Sequence, residues 1–110
     1  MNLKINSIGD TAVVALAGEI DLQNSPRIRK GLMNLMSEGR HVLVDLTAVA
    51  YIDSSGIASL VEAFQTARKN GTRFALAGVS GSALRVLQLA KLDKVFLIHG
   101  SVDEALKAGS

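Results

Sequence analysis

Val42-Leu43-Val44-Asp45-Leu46 and, a short way on, Tyr51-Ile52-Asp53-Ser54-Ser55-Gly56-Ile57 decide how this chain is read. The first run is apolar and β-branched enough to predict a buried strand, starting at His41. The second is a compact polar turn. After it Ile57, Leu60, Val61 and Phe64 recur at the spacing of one helix face. Ser54 and Ser55 therefore fall where a helix begins, among unpaired backbone N–H groups and at the positive end of the helix dipole. Such a place favours an anion. A serine there either caps the helix or carries a phosphate that a partner reads.

The flanking sequence supplies the rest of a strand-and-helix alternation. Upstream, Leu3, Ile5 and Ile8 alternate loosely, Gly9-Asp10 makes a turn, and Thr11 to Ala17 gives a second strand, so the two predict an antiparallel hairpin. Gly18-Glu19-Ile20-Asp21 reads as a polar connection. Ser25-Pro26 predicts a helix start, with serine as cap and proline at the first helical position. Ile28, Leu32, Leu35 and Met36 carry that helix to Gly39. Downstream, the helix after the serines stops near Asn70-Gly71, and Thr72 to Ala77 forms a strand. Ala83, Val86, Leu87 and Ala90 mark a further helix, and Val95 to Ile98 a short last strand. Ser101 to Glu104 has capping-box spacing, which predicts a tail helix from Val102 to Ala108. The order β-β-α-β-α-β-α-β-α implies an α/β fold. Its single mixed sheet has an antiparallel N-terminal hairpin, then parallel strands joined by right-handed crossovers.

With 110 residues, 48% of them hydrophobic and 20% charged, the chain reads as a single globular domain spanning 1–110. A net charge of +2 is small, and its cations are scattered among acids, which argues against a phosphate-backbone footprint. Aromatics are 4% with no Trp, so no base-stacking platform is expected and nucleic acid is set aside. The absence of cysteine excludes disulfides, thiolate catalysis and sulfur-ligated zinc. No apolar run approaches the roughly 20 residues that span a bilayer, so membrane insertion is not expected and a cytoplasmic location is.

Catalysis finds no support. Ser54 has no histidine near it in sequence, and Gly78-Val79-Ser80-Gly81-Ser82 lacks the second glycine of a nucleophile elbow. His41 and His99 sit at strand ends without ligand partners at three or four residues, so no metal is expected. No phosphate-binding glycine motif occurs, and no cofactor is implied. Arg27, Arg29 and Lys30 read as a solvated helix face. Capping remains the plainest role for Asp53-Ser54-Ser55-Gly56. Yet two serines and an aspartate exceed what one cap needs. Gly56 removes bulk that helix propensity would keep, which is expected to leave the serines open to an approaching surface.

Leu43-Val44-Asp45-Leu46 followed by Tyr51-Ile52-Asp53-Ser54-Ser55-Gly56-Ile57 resembles the signature of the STAS domain, and specifically of bacterial anti-sigma factor antagonists. Gly18-Glu19-Ile20-Asp21 is similar to that family's loop after the second strand. Ala83 to Leu87 with Leu92 to Phe96 resembles its third helix and last strand, so the likeness covers essentially the whole chain. The resemblance implies a non-enzymatic partner switch. Matched by residue, the phosphoacceptor is Ser54, with Ser55 the alternative, and Asp21, Asp53 and Gly56 flank it at the partner interface. The implied partners are an anti-sigma factor that is also a serine kinase of the histidine-kinase-like ATPase type, and a metal-dependent serine phosphatase that resets the switch. The unmodified antagonist binds the anti-sigma factor and the phosphorylated one releases it. A monomer is implied for the free protein. The alternative within the same fold is a structural or regulatory subunit of a bacterial lipid-transport ABC complex. Those subunits often carry alanine where Ser55 stands here.

Overall fold

Burying one face of each predicted element requires a layered α/β arrangement, and the chain adopts it. In the computed structural model, which describes residues 2–109, β1 (Asn2–Ile8) and β2 (Thr11–Ile20) precede α1 (Ser25–Ser37) and β3 (His41–Ile52). Then come α2 (Ser54–Asn70), β4 (Phe74–Ala77), α3 (Gly81–Leu89), β5 (Leu97–His99) and α4 (Val102–Gly109). The strands form one sheet in the order β1-β2-β3-β4-β5. β1 and β2 are antiparallel across the Gly9-Asp10 turn, and every later pair is parallel.

Because successive parallel strands are also neighbours, right-handed crossovers carry α1, α2 and α3 to the same face. The main core forms there, from Leu16, Ile20, Leu46 and Leu76 of the sheet against Ile28, Leu32, Leu60 and Leu87 of the helices. α4 covers part of the other face, packing Ala105 against Val13, Leu43 and Ala75. Its start has the serine half of the expected capping box: Ser101 Oγ accepts from Glu104 N at 3.1 Å. Glu104 Oε2 reaches back to Gly100 N, also at 3.1 Å.

Several boundaries differ from the sequence reading, each for a local reason. Gly18 to Ile20 continue β2 instead of forming a connection. Ile20 is fully buried in the core. Polar Glu19 and flexible Gly18 hide this because β2 and β3 slip register twice, Ala15↔Asp45 passing to Ala17↔Ala48 and Gly18↔Val49 to Glu19↔Tyr51. β3 carries the surplus residue each time, a bulge arrangement. Gly18 accommodates the distortion with φ of 88°. At the first slip Asp45 Oδ1 accepts from Thr47 N at 3.0 Å, which satisfies a donor near the interrupted ladder.

α1 is also capped differently. Asn24, not Ser25, is the N-cap residue, and its side chain makes no cap bond. Asn24 Oδ1 instead accepts from Asp21 N at 2.9 Å, and Nδ2 donates to the Glu19 carbonyl at 2.8 Å. Ser25 is buried, and its carbonyl oxygen lies 3.4 Å from Ser59 Oγ of α2. With Ser25 as the first helical residue, Pro26 becomes the second, still within the first turn. β4 starts at Phe74 because Thr72 N still bonds the Ala67 carbonyl at 2.9 Å, closing α2. β5 starts at Leu97 because Phe96 sits in a turn, its N–H on the Leu92 carbonyl and its ring 5.5 Å from Phe64 and 6.1 Å from Phe74 between centroids.

Candidate functional site

β2 and β3 end side by side, with Ile20 opposite Ile52. The next residues, Asp21 and Asp53, therefore emerge together at the carboxyl edge of the sheet, the edge where open α/β sheets place their sites. Asp53 N donates to the Ile20 carbonyl at 3.0 Å, a last rung between the strands. β3 runs through Tyr51 and Ile52, so the expected turn contracts to Asp53 alone.

Asp53 is extended, at φ −96° and ψ −175°, and is the N-cap of α2. Its Oδ1 accepts from Ser55 N at 2.9 Å, Gly56 N at 3.1 Å and Ser55 Oγ at 2.5 Å. The Ser55 hydroxyl and the Gly56 N–H, joined by the backbone of Ser55 and Leu22, hold the carboxyl below its ordinary pKa against a smaller desolvation effect. Hydrogen bonds to the charged form produce that direction.

The two serines are thus not equivalent. Ser55, half-buried at the second helical position, has its hydroxyl on Asp53 and its carbonyl accepting from Ser59 Oγ at 3.1 Å. Ser54, at the first helical position, is exposed, and its hydroxyl has no hydrogen-bond partner among the described residues. Neither serine is the cap.

Gly56 is buried, and its reason lies inward. A Cβ there would sit 2.6 Å from Ile20 Cγ2 and 2.7 Å from Ile52 Cγ1. The glycine lets the first turn of α2 seat on the strand ends; it does not clear space over the serines, as expected from sequence. Asp21 is half-buried and shapes the neighbouring loop, its Oδ1 accepting from Gln23 N at 3.0 Å and Asn24 N at 3.3 Å. Leu22, between these groups, is 74% exposed. Sequence reading passed over it, although a leucine between Asp21 and Gln23 in a polar loop is a usable signal for a contact residue. Tyr51, at the same end of β3, is also exposed.

The other candidates lie elsewhere. Ser80 caps α3, its hydroxyl accepting from Ala83 N at 3.3 Å. His41 Nδ1 accepts from Arg73 N at 3.0 Å, and Nε2 lies 3.8 Å from Asp10 Oδ2. His41 and His99 line a groove of about 410 Å³ with Arg73, Leu43, Leu97 and Leu106, beneath α4. Among the described residues no cluster of three or more His, Cys, Asp or Glu is placed to hold a metal, and no helix is long and apolar enough to cross a membrane. Arg29, expected on a solvated face, is half-exposed there but joins α1 to α2 by a two-pronged bond to Glu62, both contacts at 2.6 Å.

Comparison with known proteins places this geometry in a family. The model for the STAS domain matches residues 2–105. The anti-sigma-B factor antagonist of Listeria monocytogenes is 31% identical over 86 residues, covering 77% of this chain and 75% of that protein. That of Staphylococcus epidermidis is 32% identical over 102 residues, covering 90% and 94%. Among solved structures, an anti-sigma factor antagonist from Mycobacterium paratuberculosis superposes with a TM-score of 0.89 at 25% identity, covering 97% of this chain and 92% of that one. The antagonist SpoIIAA in its unphosphorylated form gives 0.86, covering 97% and 95%. The Bacillus cell fate determinant SpoIIAA in its phosphorylated form gives 0.81, covering 99% and 100%. Both are 19% identical and show the fold alone. With its mixed five-stranded sheet and the Asp53-capped helix at the sheet edge, this chain belongs to the STAS domain family.

Proposed function

We propose that this protein is an anti-sigma factor antagonist that works as a partner switch, with Ser54 as its phosphoacceptor. The observation that carries the reading is the exposed, unbonded Ser54 hydroxyl at the first position of a 17-residue helix, at the carboxyl edge of a STAS sheet. The curated relatives support the role: they are named as antagonists of a regulatory factor, not as enzymes. They favour this role over that of a transport-complex subunit. The unphosphorylated protein binds an anti-sigma factor that is also an ATP-dependent serine kinase of the histidine-kinase-like type, in the cytoplasm. Ser54 Oγ attacks the γ-phosphorus of ATP, the bond to the β–γ bridging oxygen breaks, ADP leaves, and the hydroxyl proton passes to a base on the kinase. A metal-dependent serine phosphatase returns the hydroxyl.

The direction of the switch follows from charge. A phosphate brings about −1.5 to −2 charges at neutral pH. At the N-terminus of α2 the helix dipole tolerates it, so the fold survives. A partner packed over Leu22 and the serines does not, because a phosphate buried beneath it must shed its water. Asp21 and Asp53 shape this surface, and Gly56 contributes by seating the helix beneath it. In binding assays against the cognate kinase, Ser54→Ala is expected to bind like the parent and take no phosphate. Ser54→Asp is expected to bind at least about ten-fold more weakly. Equal affinity for both variants, or phosphorylation of Ser54→Ala to the parent's extent, refutes the reading.

A further inference from the structure

We infer that Asp53 selects between the two adjacent serines, occupying the Ser55 hydroxyl so that only Ser54 receives the phosphate; this rests on the phosphoacceptor role proposed above. Transfer needs an Oγ lone pair aimed at phosphorus and a hydroxyl proton free to reach the kinase's base. Ser55 offers neither. Its hydroxyl proton points at Asp53 Oδ1 across 2.5 Å, the length of a charge-assisted bond. Asp53 cannot swing aside to release it, because the same oxygen holds the Ser55 and Gly56 N–H groups. Ser55 is also pinned at its carbonyl by Ser59 Oγ. The hydroxyl of Ser54 is exposed and unbonded.

A carboxylate beside a hydroxyl can instead act as a base and activate it. Here the donors gathered on Asp53 stabilise its charged form and lower its pKa, which makes it a poor proton acceptor. Masking is the stronger effect. The selection has a structural consequence as well. A phosphate on Ser55 would stand against the carboxylate that caps α2 and drive it from the helix start, whereas one on Ser54 leaves the cap bonds in place. One serine changes the docking surface; the other would change the fold.

Two substitutions separate masking from capping. Asp53→Gly removes the acceptor, and glycine at an N-cap costs less than alanine does. Asp53→Asn keeps an Oδ1 that can accept from Ser55. The parent and both variants, each with and without Ser54→Ala, are to be purified from the native host and the phosphate mapped by fragmentation mass spectrometry. The parent should favour Ser54 over Ser55 by at least about ten to one, the ratio that one hydrogen bond to a charged group supports, and Asp53→Asn, with a neutral acceptor, should keep a smaller preference for Ser54. Asp53→Gly should carry phosphate on both serines. Ser54→Ala alone should carry none, and Ser54→Ala with Asp53→Gly should carry it on Ser55.

In parallel, the Ser55 hydroxyl proton should be visible to NMR in slow exchange in the parent and be lost in Asp53→Gly. Phosphate on Ser55 of the parent at more than about a tenth of the Ser54 level, an unchanged preference in Asp53→Gly, or a rapidly exchanging Ser55 hydroxyl in the parent overturns the selection alone. Phosphate on neither serine in any variant overturns the phosphoacceptor role, and the selection with it.

Discussion

Asp53 is the residue on which most of the site depends, and its role has a pH signature. Its carboxyl is held below the ordinary aspartate value of about 3.9 by the Ser55 hydroxyl and the Gly56 N–H. A folded-state pKa below the unfolded one means stability that is fully present above the ordinary value and lost as pH falls through the lowered one. The first turn of α2 should therefore loosen on acidification below about pH 4, read as faster amide exchange at Ser55 and Gly56. Asp53→Asn should flatten that pH dependence; an unchanged acid response in the variant would show that another group is responsible. At this scale the sequence was legible in kind but not in assignment. Asp53, Ser54 and Ser55 all favour helix starts, and composition cannot say which one caps. The distinction comes from Asp53 being extended while both serines are already helical, a difference set by where β3 stops.

Among the elements, the junction of β2, β3 and α2 depends on Gly56. Gly56→Ala would gain about 1 kcal/mol of helix propensity. It also forces a methyl within 2.6 Å of Ile20 and 2.7 Å of Ile52, overpacking that costs about 1–3 kcal/mol. The expected balance is a net loss of up to about 2 kcal/mol, lowering the urea midpoint with an unchanged slope. A variant as stable as the parent would mean that the strand ends yield more readily than their burial implies. Ile20→Val in the same background should recover part of the loss by removing bulk. The element order was readable because Ile28, Leu32, Leu35 and Met36, and then Ile57, Leu60, Val61 and Phe64, recur with helical period and Val42 to Leu46 form an apolar run. The ends of β2 and β3 were not. Gly18, Glu19 and Ala50 look like loop because the bulges expose them, and only the pairing of Ile20 with Ile52 shows that the strands continue. Ser25 misled for the opposite reason, since contact with α2 buries it and turns a favoured cap residue into a packing one.

For the whole molecule, topology explains why a local charge change would suffice in the switch proposed above. Neighbouring parallel strands place α1, α2 and α3 on one face, so the main core lies beneath the helices while Ser54 stands outside it, at the edge of the sheet. The two forms of SpoIIAA, phosphorylated and not, both superpose on this chain with TM-scores of 0.81 and 0.86. The proposed partner surface was the least legible part, because Leu22 declares itself only through its exposure beside Asp21 and Asp53. The most direct measurement is to install phosphoserine at position 54 and titrate that protein and the unmodified one against the cognate anti-sigma factor kinase, with amide NMR spectra of each. The account predicts spectra that differ only around the sheet edge and the start of α2, with affinity reduced by about 100-fold or more on phosphorylation. Equal affinities, or a spectrum changed throughout the core, would contradict it.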